Sequence, residues 1–268
     1  MPTLVECVPN FSEGRDKSVV DAIVEAMKMD GVYLLDREMD SDHNRCVITL
    51  VGEREAIQEA AIRGVGKAAE IVDLTKHRGA HPRMGAADVV PFIPIDGVTL
   101  EDCVAMARQA GAEIWKRYRV PVYLYEAAAT SPERQNLEYI RRGQFEGIRA
   151  EIATNAARKP DFGEASLHPT AGAVVVGARK ALIAYNVFLN TSDVEIAKQV
   201  AKIIPAADQV CFSFQHHDFC RLKTGVEIGG HFKTIGPCVA KNKVIAFTYQ
   251  VQWTVPGKRI RFANIPDH

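Results

Sequence analysis

The segment Arg78-Gly79-Ala80-His81-Pro82-Arg83-Met84-Gly85-Ala86-Ala87-Asp88 places one imidazole among basic side chains, directly before the strand-like run Val89-Val90-Pro91-Phe92-Ile93-Pro94. Pro82 biases His81 toward extended torsions. Gly79 and Gly85 permit a sharp turn, or close approach of the backbone to a ligand, on either side. Arg78 and Arg83 carry fork-shaped donors suited to carboxylates, and their charge favours the neutral imidazole. A neutral imidazole near anion-holding arginines is what a general base acting on a carboxylated substrate needs. A basic helix-to-strand loop with a solvated histidine has the same composition, so the residues leave both readings open.

Two further polar loops sit at strand ends, where sites are commonly built: Asn10 to Gly14 and Asp40 to Arg45. With the histidine loop they offer a second imidazole (His43), carboxylates (Glu38, Asp40, Asp42), Arg45, and amides (Asn10, Asn44). Turn composition by itself favours a solvated hairpin turn for Asp40 to Arg45. His168 lies in a proline- and glycine-containing loop where a surface role is open. His216-His217 lacks partners at ligand spacing, so no metal site is expected. No Gly-x-Ser-x-Gly elbow, Walker loop or dinucleotide fingerprint occurs, and Gly225 to Gly230 has the wrong spacing for one. Covalent catalysis has no strong candidate. Histidine acid/base chemistry remains.

Lys plus Arg and Asp plus Glu number 33 each, so the chain has no basic excess for nucleic acid or anionic lipid. Hydrophobic residues make up 47% and charged residues 25%, an ordinary soluble balance. Cys7, Cys46, Cys103, Cys211, Cys220 and Cys238 are scattered without a Cys-x-x-Cys, which argues against metal fingers and a disulfide framework. The N-terminus lacks signal-peptide character, and no apolar run approaches the roughly 20 residues of a membrane span. A soluble cytoplasmic protein with reduced thiols is expected.

The elements that must position these loops alternate. A strand-like run covers Leu4 to Phe11, and a helix follows with Val19, Val20, Ile23 and Met27 on one face. Strands are expected at Val32 to Met39 and Cys46 to Val51, then a helix over 54–72 and a strand over 88–95. Thr99 with Glu101 and Asp102 opens another helix. Val120 to Tyr125 reads as a strand, and residues from Leu137 to Ile152 as a helix weakened by Gly143 and Gly147. Strands follow at Ala173 to Val176 and Ala181 to Leu189, and a capping box at Ser192 to Glu195 opens a helix through Ile204. Adjacent hairpin strands exclude a purely parallel sheet. We therefore expect an α+β fold, an α/β sandwich of two subdomains with mixed or antiparallel sheets and helices on the outer faces. The aperiodic segment Ala157 to Gly172 suggests a functional loop or linker, and the subdomains are placed at 1–178 and 179–268.

Several ordered motifs over about residues 3–204 resemble the formiminotransferase family. They are Leu4 to Gly14, Asp42-His43-Asn44-Arg45, His81 to Pro94, Val120 to Tyr125, and Gly177-Ala178-Arg179-Lys180 through Asn186. The resemblance implies transfer of the formimino group from N-formimidoyl-L-glutamate to tetrahydrofolate, in histidine breakdown. It implies two α/β subdomains with the ligand in a cleft between them, a homodimer, tetrahydrofolate as co-substrate, and no metal. It makes His81 the catalytic acid/base. It assigns folate binding to Gly163, Glu164, Ala165, Ser166, Leu167, His168, Pro169, Thr170, Ala171 and Gly172. In such a reaction Arg83 and Arg45 would hold the glutamate carboxylates, Glu38 or Asp40 would orient the cationic amidine, and Asn10 would line the substrate site.

After Ile204 the likeness fails. Residues 205–268 contain four acids and eight bases, a formal charge of +4, and only Gly225-Val226-Glu227-Ile228 resembles a family strand. An altered terminus or a changed reading frame would each produce this. A second reading follows: a non-catalytic folate- or anion-binding protein with an incomplete second subdomain. A histidine-dependent amidino- or formyl-group enzyme acting on another substrate is a third.

Overall fold

The computed structural model describes residues 3–189, Glu195, and the strand segments 210–214, 220–227, 239–240, 243–244, 253–255 and 258–260; side chains are described to Ala181 and at Glu195. The chain divides into two compact units, Met1–Lys180 and Ala181–His268.

The first unit is a mixed sheet with helices, an α+β fold. Its strands are β1 (Leu4–Cys7), β2 (Asn10–Phe11), β3 (Val32–Asp40), β4 (Arg45–Gly52), β5 (Ala87–Asp96), β6 (Val122–Glu126) and β7 (Val174–Ala178). Across the sheet the order is β3, β4, the β1/β2 pair, β5, β7, β6. The pair β1/β2 lies antiparallel to both β4 and β5. The run Leu4 to Phe11, expected as one strand, is thus interrupted at Val8-Pro9, where proline supplies no N–H to a ladder. Strands β5, β7 and β6 run parallel.

Alternation assigns the two faces. Cys46, Ile48 and Leu50 of β4, Val90 and Phe92 of β5, and Val174 and Val176 of β7 join one core. Helices α1 (Lys17–Met27), α2 (Arg54–Ile71) and α3 (Leu100–Tyr118) supply that core with Ile23, Ile57, Val65, Met106 and Ile114. Asp16 caps α1 by accepting the Ser18 amide, and a capping box of Thr99 and Asp102 starts α3. On the opposite face Val89, Tyr123, Tyr125 and Val175 pack against Ile140 and Ile148. Those two residues belong to α4 (Leu137–Arg141) and α5 (Gln144–Glu151).

The segment Leu137 to Ile152 is therefore two helices rather than one weakened helix. The break falls at Gly143, whose φ of +84° is left-handed, and Gln144 follows with φ +55°. Gly147 lies inside α5.

The described strands of the second unit are β8 (Leu182–Leu189), β9 (Val210–Phe214) and β10 (Cys220–Glu227), which form an antiparallel sheet in the order β8, β10, β9. Short antiparallel pairs join β11 (Val239–Ala240) to β12 (Lys243–Val244), and β13 (Trp253–Val255) to β14 (Lys258–Ile260). The helix expected after Ser192, apart from Glu195, and the pair His216-His217 lie outside the described residues.

Candidate active site

Three loops meet at one end of the first unit's sheet, and Asn44 joins them. Its Oδ1 accepts the Gly14 amide at 3.0 Å, and its Nδ2 donates to the Arg78 carbonyl at 3.0 Å. Its own carbonyl bonds Nε2 of His77 at 2.9 Å. Asn44 adopts φ +49°, a conformation that asparagine tolerates better than most residues. Space around it is filled. A Cβ on Gly79 would lie 2.3 Å from the His43 carbonyl oxygen, and one on Gly14 would lie 2.3 Å from the Asp40 carbonyl oxygen. Ser12 completes the join by donating its hydroxyl to the Gly85 carbonyl at 2.7 Å.

His81 is buried in this knot, its backbone N–H donating to the His43 carbonyl at 3.4 Å. The two imidazoles stand edge to face with centroids 6.3 Å apart. Nε2 of His81 lies 3.9 Å from Oδ2 of Asp88. Asp88, which is 1% exposed, owes its direction to a register shift. Asn10 pairs with Val89 but Phe11 pairs with Ala87, so Asp88 is the extra residue of a β-bulge. The bulge turns Asp88 to the same face as Val89, where α4 packs. There it accepts the Met84 amide at 2.8 Å and a guanidinium N–H of Arg141. The Nε of Arg141 is buried without a hydrogen-bond partner among the described residues.

The same face carries the other charged candidates. Register places Asp40 opposite Arg45, Glu38 opposite Val47, and Asn10 opposite Val47 on the other side. Burial pulls the Arg45 pKa down; Glu38 is the largest opposing influence, with Arg141, Asp40 and Asp88 also close enough to act. Burial also works against ionised Asp40. The amide and ring of His43 outweigh that cost and hold the carboxyl below its usual range. His43 Nδ1 lies 2.6 Å from Asp40 Oδ2, while Asp40 Oδ1 accepts the amides of Asp42 and His43. Asp40 is thus committed to its own loop. The amide of Asn10 likewise turns to the nearby Val8 carbonyl at 3.1 Å.

Arg83 is placed differently from the rest. Its buried guanidinium gives two N–H bonds to Glu146 at 2.7 and 2.8 Å and one to Nδ1 of His77 at 3.3 Å. Hydrogen bonding at both ring nitrogens of His77 fits the neutral tautomer protonated at Nε2. Burial lowers the pKa of His77, and the Arg83 charge adds to the effect.

The segment 163–172 reaches the same end of the sheet through its last residues. Ala86 donates to the Ala171 carbonyl and Ala173 to the Met84 carbonyl, at 2.8 and 3.0 Å. His168 closes the turn by accepting the Ala171 amide at Nδ1, and its ring lines a cavity of about 480 Å³ with Lys67, Glu70 and Tyr118, on the side of α1 to α3. The structure therefore gathers His81, Asn10, Glu38, Asp40 and Arg45, ties in the backbone of 171–173, and leaves Arg83 paired beside them.

Asp88, Arg141, His77 and Glu146 were not singled out by sequence reasoning. Asp88 was visible as the motif's terminal acid, but the bulge that aims it has no signature in one sequence. Arg141 and Glu146 sit on short helices more than fifty residues away, and nothing local marks them. Among the described cysteines, Cys46 and Cys103 have pKa values raised to about 12 and about 11, chiefly by burial. They serve packing. No group of three or more His, Cys, Asp or Glu that could hold a metal ion occurs among the described residues. No described helix is long and apolar enough to cross a membrane.

Fold and site define an α+β domain with a charge-lined imidazole site built on loops. Residues 4–179 match the family model described as formiminotransferase domain, N-terminal subdomain. The chain is 49% identical over 205 residues to a glutamate formimidoyltransferase of Streptococcus pyogenes serotype M1, covering 76% of this chain and 68% of that protein. A protein of the same name from Thermoplasma acidophilum is 49% identical over 208 residues, 77% of this chain and 68% of the relative. The formimidoyltransferase-cyclodeaminase of Mus musculus is 47% identical over 190 residues, 70% of this chain and 35% of that longer protein. The chain belongs to the formiminotransferase family.

Proposed function

We propose that this protein is a glutamate formimidoyltransferase, moving the formimino group of N-formimidoyl-L-glutamate to tetrahydrofolate in histidine breakdown. The observation that carries the reading is His81, buried at the junction of three loops and facing Asp88 at 3.9 Å. In the reaction N5 of tetrahydrofolate attacks the formimino carbon and forms a tetrahedral adduct. His81 takes the N5 proton and returns a proton to the glutamate nitrogen as its bond to that carbon breaks. The products are 5-formimidoyltetrahydrofolate and L-glutamate.

The protonated amidine is a cation, so a carboxylate serves it better than an oxyanion hole. Asp40 is occupied by His43 and two amides. We therefore assign the amidine to Glu38, whose charge acts on Arg45. Arg45 is the first carboxylate-holding residue for the donor, and Arg83 the second. Folate is a co-substrate held along 163–172, where Ala171 is tied to Ala86 and Gly172 bridges Gly85. The same reading makes the protein a cytoplasmic homodimer.

The test is a turnover assay with N-formimidoyl-L-glutamate and tetrahydrofolate, following release of L-glutamate. Catalysed release dependent on both substrates is expected. Binding of tetrahydrofolate without turnover would establish the non-catalytic binding reading instead.

A further inference from the structure

Arg83 presents an unusual balance of burial. Its side chain is 8% exposed, whereas that of Glu146, which grips it at both Nη atoms, is 62% exposed. The remaining Arg83 bonds are fixed from behind: Nε meets the ring of His77, and Nη1 also reaches Gln144 Oε1 at 3.3 Å. The burial of the guanidinium and these two bonds, each at 3.3 Å, do not depend on Glu146. Glu146 is the charged partner in the set, and its exposed side chain can leave into solvent.

A cavity of about 270 Å³ opens at this point, lined by His77, Arg78, Gly79, Arg83, Gln144 and Glu146. Its charge balance depends on one side chain. With Glu146 in place a single carboxylate faces Arg78 and Arg83, and Arg78 adds to the pull on it. With Glu146 turned out, two guanidinium groups and a neutral imidazole face the opening, a set that selects a carboxylate.

The backbone under Glu146 suits a side chain that switches while its helix stays put. Phe145 is buried and donates its amide to the Arg83 carbonyl at 3.0 Å, anchoring the start of α5 to the histidine loop. Gln144, the preceding residue, is left-handed without being glycine. Backbone strain of this kind persists where surrounding structure holds it, and it concentrates at ligand clamps and switches.

The geometry points to Glu146 as an internal stand-in for a glutamyl carboxylate, closing the Arg83 fork until a ligand carboxylate displaces it. This inference rests on the reading of Arg83 as a carboxylate-holding residue. Two substrates of the proposed reaction carry that chemistry, the formimidoyl donor and the glutamyl tail of the folate. Displacement makes apparent affinity weaker than intrinsic affinity by the fraction of molecules with an open fork.

The test is calorimetric titration of the full chain and its Glu146→Gln variant with N-formimidoyl-L-glutamate, with tetrahydrofolate, and with glutarate as a bare dicarboxylate. Removing the competing charge is expected to tighten glutarate and one of the two substrates about tenfold, the factor for a fork closed about nine-tenths of the time. With Arg83 assigned to the donor, N-formimidoyl-L-glutamate is the substrate expected to tighten; tightening of tetrahydrofolate in its place would give the fork to the glutamyl tail of the folate. Glu146→Asp, which keeps the charge on a shorter arm, should fall between wild type and Glu146→Gln. Unchanged or weaker affinity of Glu146→Gln for all three ligands would overturn the inference and leave the Arg83–Glu146 pair structural. Because binding is read directly, a tightened variant with no turnover would separate failure of the proposed reaction from failure of the displaced carboxylate.

Discussion

Asp88 faces His81 across 3.9 Å with the same oxygen, Oδ2, that holds Arg141. One buried carboxylate thereby couples the motif loop to α4, and a β-bulge makes the coupling possible. Removing the carboxylate leaves the mostly buried Arg141 charge without its partner. Breaking such a pair from one side costs about 3–5 kcal/mol. Asp88→Asn is expected to lose stability on that scale in urea unfolding, and to lose turnover. Adding Arg141→Met should restore stability. If turnover returns with it, Asp88 serves only Arg141; turnover that stays low is the outcome expected for a carboxylate that also orients His81.

His81→Ala should lower turnover by about two orders of magnitude or more, the usual scale for loss of an acid/base, with folate affinity changed only a few-fold. His81 is the imidazole of the motif and the one that faces a buried carboxylate. Steady-state kinetics set beside a tetrahydrofolate titration check this. Turnover of the variant within about threefold of wild type would remove His81 from proton transfer.

The elements were legible because their signals are local. The face Ile57, Ala61, Val65 and Ala68 of α2 follows helical spacing and is buried, as is Val72, the extended residue that ends the helix. Thr99 and Asp102 marked the start of α3 by their types alone, and they form the cap. The hairpin of β3 and β4 was readable from two apolar runs around a polar turn. What escaped depends on distance or on a one-residue shift. Nothing in Leu137 to Ile152 says that Gly143 ends one helix and starts another rather than being absorbed. The partner of Arg83 is Glu146, 63 residues on, so an arginine that reads as open in sequence is already paired in the fold. His77 was passed over for the same reason, since its role exists only through Asn44 and Arg83.

Asn44→Ala should loosen all three loops at once. The buried Gly14 amide and Arg78 carbonyl would both lose their side-chain partner. Leaving a buried polar group unmet costs about 1–3 kcal/mol, and the Arg78 carbonyl is only partly buried, so a total loss of about 2–4 kcal/mol is expected. Amide hydrogen exchange at Gly14 and Ala80 should accelerate. Asn44→Gly removes the same bonds but accepts φ +49° freely, so it should be no less stable than Asn44→Ala. An alanine variant clearly more stable than the glycine variant would show that the loop abandons this conformation when Asn44 is lost.

Acid should destabilise the protein through His77. Its pKa is lowered from 6.5, first by burial and then by the Arg83 charge, against the opposing bond to the Asn44 carbonyl. Below 6.5 the unfolded chain therefore takes up a proton that the native His77 still refuses. In that window the unfolded state binds more protons, and stability rises with pH. The contribution is complete above the unfolded value and is lost as pH falls through the folded one. His168, lowered by burial, acts in the same direction. Glu146 acts lower, its carboxyl held at about 2 by hydrogen bonds from Arg83. Urea unfolding at about pH 7.5 and about pH 5.0 should show lower stability at the acid value, by less in His77→Gln than in wild type. The same acid loss in both proteins would mean that His77 titrates normally in the fold, and the neutral tautomer assigned to it between Asn44 and Arg83 would be wrong.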